Sequence, residues 1–255
     1  MVSRFESIVL PLLLGAICIA LWSLSVHWTG TKVFPSPLQV VRGVGELWRR
    51  GLLLPYLRDS LVRVAVGYAA AVALGVPLGL CVGWSRNLAT AINPLVELLR
   101  PISPIAWIPV AIVFFGIGNL APIFLVFLGA FFPIVVTTHN GVRAVPPMYL
   151  RAARNFGLSP AQMLRRVLLP AALPQILSGL RIALGIAWLV VVAAEMIAVD
   201  SGLGYLIIDA RNAGKRYDLV VAGMVLVGAI GLVFDLSFRL LERVRSVRWG
   251  FRSNS

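Results

Sequence analysis

Residues 101–142 read PISPIAWIPVAIVFFGIGNLAPIFLVFLGAFFPIVVTTHNGV, 42 consecutive positions without an Asp, Glu, Lys or Arg. A membrane-crossing helix needs about 20 apolar residues, because the hydrocarbon layer is roughly 30 Å thick and each helical residue rises about 1.5 Å. The stretch therefore holds two spans. Gly116-Ile117-Gly118-Asn119 supplies the break, and Pro122 suits the first turn of the helix that follows. The same arithmetic on both sides gives spans at about 8–26, 60–84, 100–117, 121–140, 175–199 and 219–240. The first apolar run exceeds the roughly 7–15 residues of a secretory signal, so it is read as an uncleaved helix. The expected fold class is all-α: a polytopic membrane helical bundle of six transmembrane helices, occupying residues 1–255 as a single domain.

Composition agrees with a lipid solvent. Of 255 residues, 59% are hydrophobic and 13% charged, against about 25% charged in soluble domains. The net charge of +13 would suggest a nucleic-acid partner in a soluble protein. In a chain of membrane spans it reads as an orientation signal and as contact with anionic membrane lipid, and no nucleic-acid partner is expected. An even number of spans places both termini on one side. The segments on that side hold twelve arginines, and the opposite segments hold eight lysines and arginines. Arg143, Arg151, Arg154, Arg165 and Arg166 cluster without an acid at 143–166, so this side and both termini are expected to be cytoplasmic.

Several chemistries are excluded. Cys18 and Cys81 sit in separate apolar runs, and His27 and His139 are far apart, so neither a disulfide scaffold nor a zinc site is available. Neither Lys32 nor Lys215 is followed by Ser or Thr, so a Gly-Lys-Ser/Thr phosphate loop is absent. A nucleophile-plus-base constellation is missing as well, and no catalytic residue is assigned.

Residues 143–174 read RAVPPMYLRAARNFGLSPAQMLRRVLLPAALP and are not a membrane span. Pro146-Pro147 ends the fourth span and opens a short helix, Met148 to Phe156, which Gly157 closes. Ser159-Pro160-Ala161-Gln162 matches a capping box with proline at the first helical position. A second short amphipathic helix is expected after it, at right angles to the first, with Pro170 and Pro174 marking the return to the membrane. Such a stiff, capped pair exceeds what anchoring in headgroups requires. It predicts a docking surface.

The spacing Ala152-Ala153-x3-Gly157-x9-Val167-x-Leu169-Pro170 resembles the EAA loop of permease subunits in ATP-binding-cassette importers. LRPISPIAWIPVAIVFFGIG at 99–118, LRIALGIAWLVVVAAEM at 180–196 and SGLGYLI at 201–207 are similar to the branch that imports nitrate, taurine and aliphatic sulfonates. The resemblance implies a type I importer permease in the bacterial inner membrane. It also implies a second permease copy as a homodimer partner, a separate ATPase subunit carrying ATP and Mg on the EAA loop, and an extracytoplasmic solute-binding protein on the other face. No cofactor is expected on this chain itself. Arg151, Ala152, Ala153, Gly157, Val167, Leu169 and Pro170 are then the ATPase-coupling loop. The chain departs from the pattern at Arg151, where the family has glutamate, and at Val167, where it has isoleucine.

Charges within spans mark candidate sites, since each costs several kcal/mol unless paired or hydrated. Arg181, Glu195 and Asp235 are the candidates for a translocation path or gate. Arg181 suits either transient contact with an anion or a pair with Asp235, and Asp235 lies four residues before Arg239 on one helix face. Glu195 suits a gate or a structural pair. Arg63, near a helix end, reads as an anchor.

Three further patterns carry expectations. Gly67, Ala71, Gly75, Gly79 and Gly83 recur every fourth residue and predict close packing against a neighbouring helix. Pro101, Pro104 and Pro109 predict an interrupted third span facing the protein interior. Outside the membrane, Ser36-Pro37 predicts a cap and an amphipathic helix at 38–50, lying on the bilayer or receiving the binding protein. The 200–218 segment reads as a charge-balanced loop with a tight turn at Gly202 and Gly204. An ion-driven secondary transporter or channel is the alternative; it predicts inverted repeats, and none is evident.

Overall fold

The computed structural model describes residues 6–29 and 34–242, and every regular element among them is helical. In chain order these are α1 (Glu6–Thr29), α2 (Pro37–Arg49), α3 (Leu53–Trp84), α4 (Arg86–Leu99), α5 (Ile108–Phe115), α6 (Leu120–Arg143), α7 (Pro147–Asn155), α8 (Pro160–Met163), α9 (Leu169–Ala198), α10 (Leu203–Gly214) and α11 (Tyr217–Glu242). Among the described residues, five helical stretches are long and apolar enough to cross a membrane: α1, α3, α6, the rod from Pro160 to Ala198, and α11. The sixth candidate crossing is bent. Arg4 and the basic tail after Glu242 lie outside the described residues.

The bend falls at the start of the span expected over 100–117, which its prolines predict to be interrupted. Helix α4 and the Pro104–Phe115 segment meet at 81°. Pro101 and Pro104 remove two backbone donors and bias their predecessors away from helical angles. The chain restarts as a 3-10 turn over Pro104–Trp107 and continues as α5. Gly116 and Gly118 then take positive φ angles of 74° and 145° to turn the chain into α6.

Helices α3, α6 and α9 form the centre. Val64 and Ala71 of α3, Val126, Ala130 and Ile134 of α6, and Ala183, Ala187 and Val191 of α9 build one buried cluster. Trp188 of α9 is 3% exposed, and its indole N–H donates to the Val227 carbonyl of α11 at 2.9 Å. That bond satisfies the one polar atom of a large apolar side chain. Helix α1 stands apart, with Leu12 and Leu14 exposed as a lipid-facing helix requires.

The glycine stripe of α3 faces α6. A Cβ at Gly79 would lie 2.6 Å from the Thr138 Cβ and 2.8 Å from the Val135 carbonyl; one at Gly83 would lie 2.6 Å from the Val142 Cβ. Backbones this close exclude any side chain, and in lipid such packing supplies much of the association energy. We expect Gly79→Val to destabilise the purified protein by about 1–3 kcal/mol. Gly15→Val, with no atom within 4 Å of its Cβ, should be neutral. Melting temperatures in detergent compare the two, and equal values would contradict the packing role.

Helix α2 is capped as its sequence predicts: Ser36 Oγ accepts from the Gln39 N–H at 3.4 Å, and Gln39 Oε1 accepts from the Ser36 N–H at 2.7 Å. Its buried residues Val40, Gly43 and Leu47 face the start of α11, where Gly43 comes against the Asp218 carbonyl and Leu219. Arg216 ties the two together, donating to Glu46 at 2.6 Å and to Asp218 at 2.8 Å. That hydrogen bond holds the Glu46 carboxyl below its ordinary value, while Asp218 and Glu46 raise the Arg216 guanidinium further.

The 200–218 segment is not a loop. Gly202 makes the expected turn, with φ of 104°, but Leu203–Gly214 is helix α10, and its Leu203, Leu206 and Ile207 are buried. Leu203, Leu206, Ile207 and Ala210 recur at helical spacing beneath the charged residues, and their burial against α9 and α11 decides the conformation.

Candidate functional site

The segment between α6 and α9 is held by local devices at both ends of α7. Pro146 and Pro147 open the helix, where a missing N–H costs nothing. At its end the Gly157 N–H donates to the Arg154 carbonyl at 2.9 Å and the Leu158 N–H to the Ala153 carbonyl at 3.1 Å. This is a Schellman closure. It needs a left-handed residue, and Gly157 has φ of 73°. Two residues later the Ser159/Gln162 capping box starts the next helix, with bonds of 3.4 Å and 2.9 Å.

Only one side of α7 is fixed. Ala153 is buried, and Leu150 packs with Val142, Val145, Leu164 and Leu168. The outward side carries Met148, Tyr149 and Phe156, 67%, 50% and 84% exposed, beside exposed Arg151, Ala152, Arg154 and Gly157. Val167 and Leu169 are half-buried and Pro170 is exposed.

The second short helix expected here does not exist as a separate element. Helix α8 passes through a π turn at Leu164–Leu168 directly into α9, giving one 39-residue rod, Pro160–Ala198. Pro170 has no N–H for the Arg166 carbonyl, and a proline in a regular helix clashes one turn back. The π turn absorbs this, with the Leu169 N–H reaching the Leu164 carbonyl five residues earlier. Pro170 and Pro174 therefore lie inside the rod and do not mark its beginning.

The intramembrane charges are paired. Arg181 Nε donates to Asp235 Oδ1 at 2.7 Å, and Arg239 Nε donates to Asp235 Oδ2 at 2.8 Å, joining α9 to α11. Arg63 is no anchor at a membrane surface. It is 3% exposed and donates to Glu195 Oε1 at 2.7 Å. Its remaining N–H groups reach Asn119 Oδ1 at 2.9 and 2.7 Å, the Ser201 carbonyl at 2.8 Å and Ser201 Oγ at 2.6 Å. All five guanidinium donors are thus used.

Glu195 is fully buried, and its second oxygen accepts from Ser60 Oγ at 2.8 Å and the Gly204 N–H at 3.0 Å. Ser60 Oγ in turn accepts from the Leu203 N–H at 2.9 Å. A Cβ at Gly202 would enter the Glu195 carboxyl group, and one at Gly204 would enter the Val192 carbonyl. The cluster locks α3, α6, α9 and α10 together at the end of the bundle away from α7. All five guanidinium donors and both carboxylate oxygens are thus engaged within the protein. Ser60, Asn119 and Ser201 carry no sequence signal of their own. The Gly-x-Gly at 202–204, close after Glu195, is the trace that points to them.

Residues 71–247 match the family described as the binding-protein-dependent transport system inner membrane component. The chain is similar to the putative aliphatic sulfonates transport permease SsuC of Bacillus subtilis, 37% identical over 240 residues, covering 93% of this chain and 86% of that one. It is 36% identical over 234 residues to the taurine transport system permease TauC of Escherichia coli, covering 86% and 84%. To the bicarbonate transport system permease CmpB of Synechococcus elongatus it is 36% identical over 256 residues, covering 94% and 90%. Among solved structures, the fold is like that of the MetNI methionine ABC transporter in an inward-facing conformation, with a TM-score of 0.68 at 24% identity, covering 76% of this chain and 96% of that one. It is also like a bacterial alginate ABC transporter, with a TM-score of 0.63 at 17% identity, covering 97% and 98%. The helical bundle and the α7 segment therefore belong to a multi-pass inner-membrane permease subunit of an ABC importer, a non-catalytic member of the binding-protein-dependent transport family whose ATPase is a separate subunit.

Proposed function

We propose that this permease imports a small oxyanion and takes its energy from an ATPase docked on α7. The single observation that carries the docking is the outward side of α7: three exposed apolar side chains beside Arg151 and Arg154 on a helix opened by proline and closed by a Schellman turn. Exposed apolar groups on a rigid element favour a protein partner over water. Arg151, Ala152, Ala153, Gly157, Val167, Leu169 and Pro170 are then the coupling loop, and ATP with Mg belongs to the partner. The acid-free arginines at 143–166 favour this side, and both termini, as cytoplasmic.

The substrate class rests on the relatives, which are named for aliphatic sulfonates, taurine and bicarbonate. These share a compact oxygen-rich anionic head. A solute-binding protein would deliver the anion to the opposite face, which α2 and α10 help to form. A second copy of this chain would complete the path.

Copurification tests the docking. The tagged permease should retain its ATPase in stoichiometric amounts, and Phe156→Asp should reduce that capture at least about tenfold by desolvating a charge at the contact. Undiminished capture by the variant would count against α7 as the docking element. Uptake of taurine, an alkanesulfonate and bicarbonate, each with binding protein supplied, ranks the substrates.

A further inference from the structure

Of the candidate path residues, Arg181 pairs with Asp235, and Glu195 pairs with Arg63. The 81° bend between α4 and α5 leaves a cavity of about 440 Å³ against α6 and α9, a volume within the roughly 300–1,000 Å³ of small-molecule sites. Phe124, Leu128, Phe132 and Val136 line it at every fourth position of α6, and Ile182 and Ile186 of α9 close the other side. From Phe124 to Thr137 the wall extends about 20 Å along the helix axis, more than half of the hydrocarbon thickness.

One charged residue lines this cavity: Arg100, the C-terminal cap of α4 at the bend. No ion pair or side-chain hydrogen bond engages it among the described residues, whereas Arg63, Arg181, Arg216 and Arg239 are all paired. Its position beside the last carbonyls of α4 favours a cation. Pro101 and Pro104 place it there by ending α4 where they do. Arg100 and Val136 also border an adjoining, smaller cavity that Glu97, one turn earlier, lines with His139 and Asn140. No carboxylate lines the larger one.

We propose that this cavity is part of the anion route and that Arg100 is the group that gives it its preference for anions. The assignment rests on the small-anion reading above. Apolar walls with a single cation suit a transporter. The walls strengthen the field of the charge, while the absence of further donors keeps the anion from being held. Arg181 and Asp235 line a different cavity, between α9 and α11, and take no part.

The charge preference of the cavity is measurable without transport. In full-length protein with Cys18→Ala and Cys81→Ala, Phe132→Cys places a single thiol on the wall. Its rates of modification by 2-sulfonatoethyl methanethiosulfonate and by the trimethylammonium analogue give an anion-to-cation ratio in membrane vesicles. Mass spectrometry of the purified chain reads both rates. Arg100→Gln should lower the ratio on the order of tenfold, and Arg100→Lys, which keeps the charge, should preserve it. An unchanged ratio in Arg100→Gln would overturn the assignment, as would a folded chain whose introduced thiol at position 132 reacts with neither reagent. Uptake of taurine, alkanesulfonate and bicarbonate reports on the functional reading separately, so either can fail alone.

Discussion

Arg63→Ala should destabilise the purified permease by about 3–5 kcal/mol, the usual consequence of leaving a buried charge without its partner. The Glu195 carboxylate is fully buried, and among the described residues Arg63 supplies its only cation, at 2.7 Å. The same substitution leaves the Asn119 amide oxygen and both oxygens of Ser201 without the donors they now accept from. Thermal melting in detergent and the yield of folded protein in membranes measure the effect. Glu195→Gln should be damaging as well, because Arg63 then keeps its charge with neutral acceptors alone. Arg63→Met combined with Glu195→Leu should recover part of the loss, since two apolar residues need no counter-ion. A single Arg63→Ala variant that melts like the parent protein would show that water reaches the cluster and that the pair is not holding the four helices together.

The second large effect is expected at Gly157. Gly157→Glu should abolish substrate-stimulated ATP hydrolysis and uptake while the permease remains inserted and folded. The position is exposed and a Cβ there meets no atom within 4 Å, so a side chain finds room. Its φ of 73° is one that non-glycine residues adopt at a cost of roughly 1 kcal/mol. That is too little to unfold a bundle whose centre is α3, α6 and α9. It does loosen the Schellman closure, and it places a carboxylate on the outward side of α7. Gly157→Asn, which tolerates the left-handed region, separates the causes: it should keep most of the coupling if backbone geometry is what matters. Normal transport by Gly157→Glu would remove α7 from the coupling role.

Both predictions concern residues whose identities were visible in the sequence, but to different degrees. The α7 segment was legible because its signals are local. Proline at a helix start, glycine at a helix end and Ser-x-x-Gln before a helix act within a few residues of themselves, and each lies where its chemistry predicts. The π turn was not legible. Pro170 signals a helix break, and whether the chain stops or widens there depends on Leu164 and Leu168 being packed with Val142 of α6 and Val145 just after it. The bend at 100–104 was half legible, since its prolines announce an interruption without its angle.

The Arg63 cluster lies at the other extreme. Its two charges are 132 positions apart, and Asn119 and Ser201 come from two further connections. Position near the end of a span made Arg63 read as a surface anchor, which is correct for an isolated helix in lipid. Inside a bundle the ends of α3, α6 and α9 converge, and a guanidinium that would otherwise reach the headgroups finds its acceptors within the protein.

Solvent preference along the chain is a property of composition and period. The apolar character of the spans, the close face of α3, the caps of α2 and α7 and the clustering of arginine at 143–166 were therefore set by the sequence alone. Pairing of charges, the burial of α10 and the cavity beside Arg100 were decided only by the tertiary structure. A buried charge is stable only beside a partner that the chain brings from far away, and a cavity exists only between elements whose mutual angle no local signal carries.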